Sequence, residues 1–285
     1  MVDQAVDFNV HLPAMEVSRD QWLATEAVQT TDGFRKAYSS IHGELRSALA
    51  GANFMLFNQD LPFVDSDLGG WTASVRQDWR YCSFTQLFDF RRKSELDSGL
   101  SRLRAAGVNG VKFHSYVQEI SRGDIPMAVQ AAKAAAALGF FICIDASYGT
   151  SRMYEFDNLL LAAEIINTVS SVPVIILHSG GARCWDAMLL ADGTPNVYLE
   201  TSFSLSYYEG SSIEGDFAYI YRKVGCDRVL FASDLPYVGF SDALECANRF
   251  LDRHGFKDEE RNAILGGNAA RLMSGALIGQ EGSAA

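Results

Sequence analysis

An eight-stranded parallel β/α barrel in a single domain is the fold the sequence predicts, and three observations carry it. Short apolar, β-branched or aromatic runs alternate with longer stretches of helical periodicity. Eight such runs can be counted. No internal repeat, low-complexity block or linker-like segment divides the 285 residues. Alternating strands and helices build parallel sheets, and eight parallel strands are the number that closes on itself. The length is ample for one large α/β domain with a substantial core. The competing architecture is an open doubly wound sheet, but the first strand is not followed by a GxGxxG turn and no Gly-rich phosphate loop occurs elsewhere.

Taken in order, AVDFNVHLP opens the chain with a strand over Ala5–Val10. Ser18–Ala50 is too long for a plain connection and predicts an inserted loop and helix after the first strand. Further strands are expected at Asn53–Phe57, Tyr81–Phe88, Gly110–Phe113, Phe140–Ile144, Val174–Leu177, Val197–Leu199 and Val229–Ala232. QDLPFVDSDLGGW, after the second strand, has the Pro, Gly and carboxylates of a long surface lid. Ser94–Ala106 places Leu96, Leu100, Leu103 and Ala106 near helical spacing, and Ala-rich Ile125–Leu138 is followed by Gly139 as a natural stop. Tyr154–Val169, Ile213–Val224 and Ser241–His254 continue the alternation, and Asp258–Met273 reads as a final helical pair. The tail SGALIGQEGSAA is small and polar enough to fray, so a barrel over 1–274 with a flexible tail over 275–285 is expected.

The formal net charge of −11 and the absence of basic runs interleaved with aromatics argue against a phosphate-backbone binder. Five widely spaced cysteines without a CxxC pair suit reduced thiols. No basic segment precedes an apolar run at the N-terminus, and the longest apolar stretch, AAKAAAALGFFICI, is too short to cross a bilayer. The expected partner is a small-molecule substrate, with neither nucleic acid nor membrane, and the expected compartment is the cytoplasm. Aromatic residues in FSLSYYEG suit a lid or a contact in a homo-oligomer.

Chemistry in such a barrel collects where strands finish, because the loops that follow form one shared rim. The first strand ends in Asn9 and His11, two residues apart and so on one side of an extended chain. The fourth ends in Lys112 and His114, the fifth in Asp145, the sixth in His178, the seventh in Glu200 and Thr201, the eighth in Asp234. Singly, each is an ordinary polar strand terminus; together they point to one site. Imidazole and carboxylate are the donors a zinc-type ion takes. Water on such an ion ionises near neutral pH and attacks a carbonyl while a carboxylate moves the proton. His11, His178 and Asp234, with Asp145 as a fourth group, suit those roles.

These segments resemble the amidohydrolase-related (family 2) branch of the metal-dependent TIM-barrel hydrolases. VDFNVH is similar to its D-x-H-x-H, GVKFHSYVQ to G-[IV]-K-[LF]-H-P, and VPVIILHSGG to H-x-G-G. NVYLETS is similar to N-V-Y-x-[DE]-T-S, RVLFASDLPY to R-[IV]-L-F-G-S-D-x-P, and GGNAARLM to G-N-A-x-R-L, all in the family's order. The resemblance implies a mononuclear zinc or manganese site at the rim and either hydrolysis or non-oxidative decarboxylation. It implies metal binding by His11, His178 and Asp234, with Asp145 able to join them. Acid/base work falls to Asp234 and His178, and Lys112 and His114 line the substrate pocket. Two departures stand out: Asn9 replaces the first histidine of the H-x-H pair, and Asp145 stands where the fifth strand commonly supplies a histidine. Both weaken zinc affinity. A hydrolase of an ester, lactone or amide is the leading expectation, with Asn9 and Arg183 as further substrate contacts. A metal-free lactonase or decarboxylase of the same fold, and a barrel that has lost catalysis and binds a ligand or partner, are the alternatives.

Overall fold

The computed structural model describes residues 5–12, 31–57, 67–91, 93–148 and 150–275. Eight strands, β1 (Ala5–Leu12), β2 (Leu49–Leu56), β3 (Tyr81–Leu87), β4 (Gly110–Phe113), β5 (Phe141–Asp145), β6 (Val174–Leu177), β7 (Val197–Glu200) and β8 (Val229–Leu230), pair in parallel, each with the next in sequence. The circle closes between β1 and the segment leaving β8. Phe8 N donates to Phe231 O (3.0 Å), His11 N to Leu235 O (2.9 Å) and Asp234 N to Asn9 O (3.1 Å). This is the (β/α)8 TIM barrel that the sequence predicts.

The helices are α1 (Thr31–Ala48), α2 (Leu68–Asp78), α3 (Leu96–Ala105), α4 (Ile125–Ala137), α5 (Asn158–Ile166), α6 (Cys184–Asp192), α7 (Ser204–Tyr207), α8 (Ser212–Val224), α9 (Phe240–Arg253), α10 (Asp258–Asn262) and α11 (Asn268–Met273). Helix α1 is the inserted helix expected after the first strand. The loop before it, most of the expected lid and the tail from 276 lie outside the described residues. Helix α4 starts with Pro126 in its first turn and stops where Gly139 takes φ +76°, with Gly139 N donating to Ala136 O and Phe140 N to Ala135 O.

Strand β2 begins at Leu49, four residues before the expected Asn53. The early part, Leu49-Ala50-Gly51-Ala52, is small and of low strand propensity. Its smallness is what the packing requires, because a Cβ on Gly51 would stand 2.3 Å from the Tyr81 carbonyl oxygen on β3.

Two apolar layers hold the barrel. Val111, Phe113, Ile142, Ile144, Val174 and Ile176 point outward into the layer shared with the helices. Val6, Phe8, Phe141, Cys143, Ile175, Leu177, Tyr198 and Leu230 fill the interior floor. Each such fully buried side chain contributes about 1.5–3 kcal/mol relative to exposure. All five cysteines are free thiols. No helix among the described residues is long and apolar enough to cross a membrane.

Candidate active site

Above the apolar floor the inward positions turn polar. On β4, Val111 and Phe113 face out, so Lys112 and then His114 face in; on β5, Ile142 and Ile144 face out, so Asp145 faces in. Strand β1 needs a correction of parity, since Val6 and Phe8 fill the floor but Val10 and Leu12 belong to the outer layer. A register shift against β2 between Asp7 and Val10 supplies it, so that Asn9 and His11 share the barrel mouth. At β6, Leu177 already faces in, and strict alternation would send His178 out. His178 instead takes φ +61° and Ser179 φ +50°, which turns the ring inward. Asp234 also holds positive φ, at +67°. In the turn after His178, Gly181 has φ +53° and lies so close to the β5 exit that a Cβ would stand 2.2 Å from Ser147 O.

Seven side chains from six strand exits form a closed circuit. Asn9 Nδ2 donates to Asp234 Oδ1 (3.2 Å) and to Ser202 Oγ (3.1 Å). Ser202 Oγ lies 3.0 Å from His178 Nδ1, and His178 Nε2 lies 3.0 Å from Asp145 Oδ2. The same Asp145 oxygen faces His114 Nε2 (3.3 Å) and Lys112 Nζ (3.6 Å). Lys112 Nζ lies 3.4 Å from His11 Nε2, which returns to Asp234 Oδ1 at 3.2 Å. Because a carboxylate only accepts, the nitrogen of the Asn9 amide is the atom that faces Asp234. Its oxygen is then buried with no hydrogen-bond partner among the described residues, as is His114 Nδ1. Both Asp234 side-chain contacts land on Oδ1, so among the described residues Oδ2 is unengaged, on a side chain that is 8% exposed.

The electrostatics follow from this circuit. Burial alone would lower His178, but Asp145, with Asp234 and Glu200 behind it, pushes it up to about 9. Its two ring nitrogens face the Ser202 carbonyl (3.1 Å) and Asp145, both acceptors, which is the geometry of an imidazolium. Burial would raise Asp145, yet His114, His178 and Lys112 hold it well below the usual carboxylate range. Burial drives His114 down to about 3 despite Asp145, and burial with the Lys112 charge lowers His11, so both rings are neutral near pH 7.

The amidohydrolase profile matches residues 71–274, from α2 through α11. The chain belongs to the amidohydrolase family. No curated protein matches the sequence of this amidohydrolase at a significant level. Among solved structures, it is similar to an uncharacterized TIM-barrel protein from Bordetella bronchiseptica (TM-score 0.68, 16% identity, 97% of this chain and 100% of that one covered). It is also similar to a probable 2-pyrone-4,6-dicarboxylic acid hydrolase from Acinetobacter baumannii with citric acid bound (0.61, 14%, 95% and 99%). A third likeness is to 5-carboxyvanillate decarboxylase from Sphingomonas paucimobilis (0.58, 14%, 95% and 99%). At these identities the likeness is one of fold.

Members of this superfamily often use divalent metals. His11, His178, Asp145 and Asp234 have the donor chemistry for one, and the unpartnered Asn9 oxygen would add a neutral donor. Lys112 opposes the fit. With Nζ 3.4 Å from His11 Nε2, an ion on that nitrogen at ~2.1 Å would stand no farther than about 5.5 Å from the ammonium. At an effective dielectric constant of ~20, a divalent ion and an ammonium at that distance repel by about 6 kcal/mol, roughly four orders of magnitude in affinity, before the attraction of the carboxylates is counted. Among the described residues no group of three or more His, Cys, Asp or Glu side chains is arranged to hold a metal ion. The residues as placed fit an ion-pair network centred on Lys112.

Of the residues singled out in the sequence, Asn9, His11, Lys112, His114, Asp145, His178 and Asp234 come together. Arg183 does not join them: its guanidinium pairs with Asp186 (2.7 Å) and Asp157 (3.1 Å), donates to Tyr148 OH (2.9 Å), and so braces the start of α5. Glu200, seen at a strand exit but given no role, and Ser202, not singled out, prove central. Glu200 accepts from His178 N (3.1 Å) and Ser202 Oγ (2.8 Å), which fixes the turn that aims His178, and burial pushes its carboxyl up to about 7. The signal available was ETS, an acid and a hydroxyl two residues apart at a strand end. Asp7, also missed, accepts from Ser233 Oγ (2.6 Å) and Ser233 N (3.0 Å) and ties β1 to the loop bearing Asp234. Aromatic rings wall the site. Phe57 and Tyr237 flank His11, Tyr116 meets His114, and Phe203 meets His178 edge-on while stacking on Tyr207.

Proposed function

We propose that this amidohydrolase is a hydrolase of small esters, lactones or amides, working at the C-terminal rim of its barrel. The observation that carries the proposal is the placement of Asp234. One oxygen, Oδ1, is fixed by Asn9 and His11, and the other is unengaged among the described residues, on a side chain that is 8% exposed. A carboxylate held this way can take a proton from an attacking water and return it to the leaving group. The His178 imidazolium and the Lys112 ammonium, buried beside it, supply fixed positive charge for the oxyanion that develops on the substrate carbonyl. The aromatic walls suit a small planar substrate. The five free cysteines accord with the cytoplasm as its compartment.

The test is a panel of lactones, aryl esters, anilides and hydroxybenzoates incubated with the protein in 18O-water. Hydrolysis places 18O in the new carboxylate of a lactone, ester or amide. Release of carbon dioxide from the benzoates without incorporation would replace hydrolysis by decarboxylation on the same rim. No turnover anywhere on the panel, with ligands nevertheless bound, would favour a barrel that only binds.

A further inference from the structure

Lys112 is the largest charged side chain sealed inside the barrel, at 1% exposure, and it stands at the centre of the rim network. A buried ammonium is costly unless paired, and an apolar residue would fill the same volume on β4 without that cost. Here the surroundings are arranged for it. Strand β5 ends in an anion, Asp145, whose Oδ2 faces Lys112 Nζ at 3.6 Å, and His11 Nε2, which faces Asp234 Oδ1, lies 3.4 Å from the same ammonium. On β1, Asn9 directs its amide N–H toward Asp234 Oδ1. An N–H donor on Asp234 Oδ1 and an ammonium against Asp145 Oδ2 serve one oxygen of each carboxylate with groups of the chain itself.

We infer that the Lys112 ammonium occupies the electrostatic place of a divalent metal in this centre, held there by Asp145, and that this member of the family is built to work without one. The inference rests on reading the rim as the active site, but its test concerns ion binding and needs no substrate. Removing the ammonium takes away one of the two buried positive charges, the other being the His178 imidazolium, that stand against a metal at His11, Asp145 and Asp234. Lys112→Met, which keeps the length of the stem, should then bind zinc about 10^3- to 10^4-fold more tightly than the native chain. Lys112→Arg keeps the cation and should behave as native.

The experiment has two arms. Native protein, expressed with zinc and manganese supplied and purified without chelators, is analysed for metal content and for the effect of added zinc or manganese chloride on its melting temperature. The expected result is less than about a tenth of an equivalent of metal and no shift. Zinc affinity is then measured by competition with a chelating dye for the native protein, Lys112→Met and Lys112→Arg. Stoichiometric metal in the native protein that survives dialysis would overturn the inference, even if Lys112→Met did not fold. A folded Lys112→Met no better at binding zinc than the native chain would also overturn it. Metal-free native protein that turns over nothing on the panel would leave the inference standing and remove the proposed hydrolase; metal-loaded protein that hydrolyses would do the reverse.

Discussion

Replacing Asp145 by Asn removes the carboxylate that Lys112, His114 and His178 share, at 3.6, 3.3 and 3.0 Å from its Oδ2. In the native chain burial tends to lower His178, and Asp145 is the first of the charges that overcome burial and push it from 6.5 to about 9. That rise corresponds to roughly 3 kcal/mol. Because the folded-state value is raised, that stabilisation is fully present below pH 6.5 and disappears as the pH climbs through about 9. Asp145→Asn should abolish this dependence, and it should also cost about 3–5 kcal/mol near neutral pH by leaving Lys112 buried without its anion. The assay is urea unfolding of both proteins, followed by circular dichroism from pH 6.5 to pH 9. Glu200 and the buried thiols titrate in both, so their contributions cancel in the difference to first order. The stability gap should be widest near pH 6.5 and narrow by about 3 kcal/mol toward pH 9. A gap constant to within about 1 kcal/mol would refute the pairing of His178 with Asp145 as the source of the shift.

Glu200→Gln leaves one acceptor oxygen where Glu200 now takes the His178 N–H and the Ser202 hydroxyl on Oε2 and the Ser202 N–H on Oε1, so it should destabilise the protein by about 1–3 kcal/mol in urea unfolding. An unchanged midpoint would mean that Glu200 does not hold the His178 turn. Arg183→Ala breaks partly exposed contacts with Asp157 and Asp186 and should cost no more than about 1 kcal/mol, with KM unchanged on any substrate the panel yields. A rise in KM of about tenfold or more, which is about 1.4 kcal/mol of binding, would return Arg183 to the substrate.

The barrel was legible because eight apolar runs announce eight strands, and it blurred where packing demanded small residues, as in the Leu49–Ala52 start of β2. Asn9 and His11 share a face by simple alternation. That they share it with the barrel interior depends on a register shift after Asp7 that no local pattern signals. His178 was legible as a strand-end imidazole, although it faces inward only through two residues with positive φ. The role of Lys112 was harder to read, because a lysine in an apolar run looks the same whether its head reaches water or an internal carboxylate. Arg183 is near His178 in sequence but stands outside the circuit, paired with Asp157 and Asp186, one before it in the chain and one after. Ser202 meets Asn9 across 193 residues, a contact that only the closed barrel creates.

Steady-state kinetics of Asp234→Asn, on the best substrate of the panel, test the central claim most directly. Asn keeps the shape of the side chain and can still accept from Asn9, but it cannot carry a proton between water and leaving group. The expected outcome is a fall in kcat/KM of about 10^2- to 10^4-fold, with the urea midpoint of a folded protein. Turnover equal to that of the native chain would contradict the assignment of Asp234, and with it the reading of this rim as the catalytic centre.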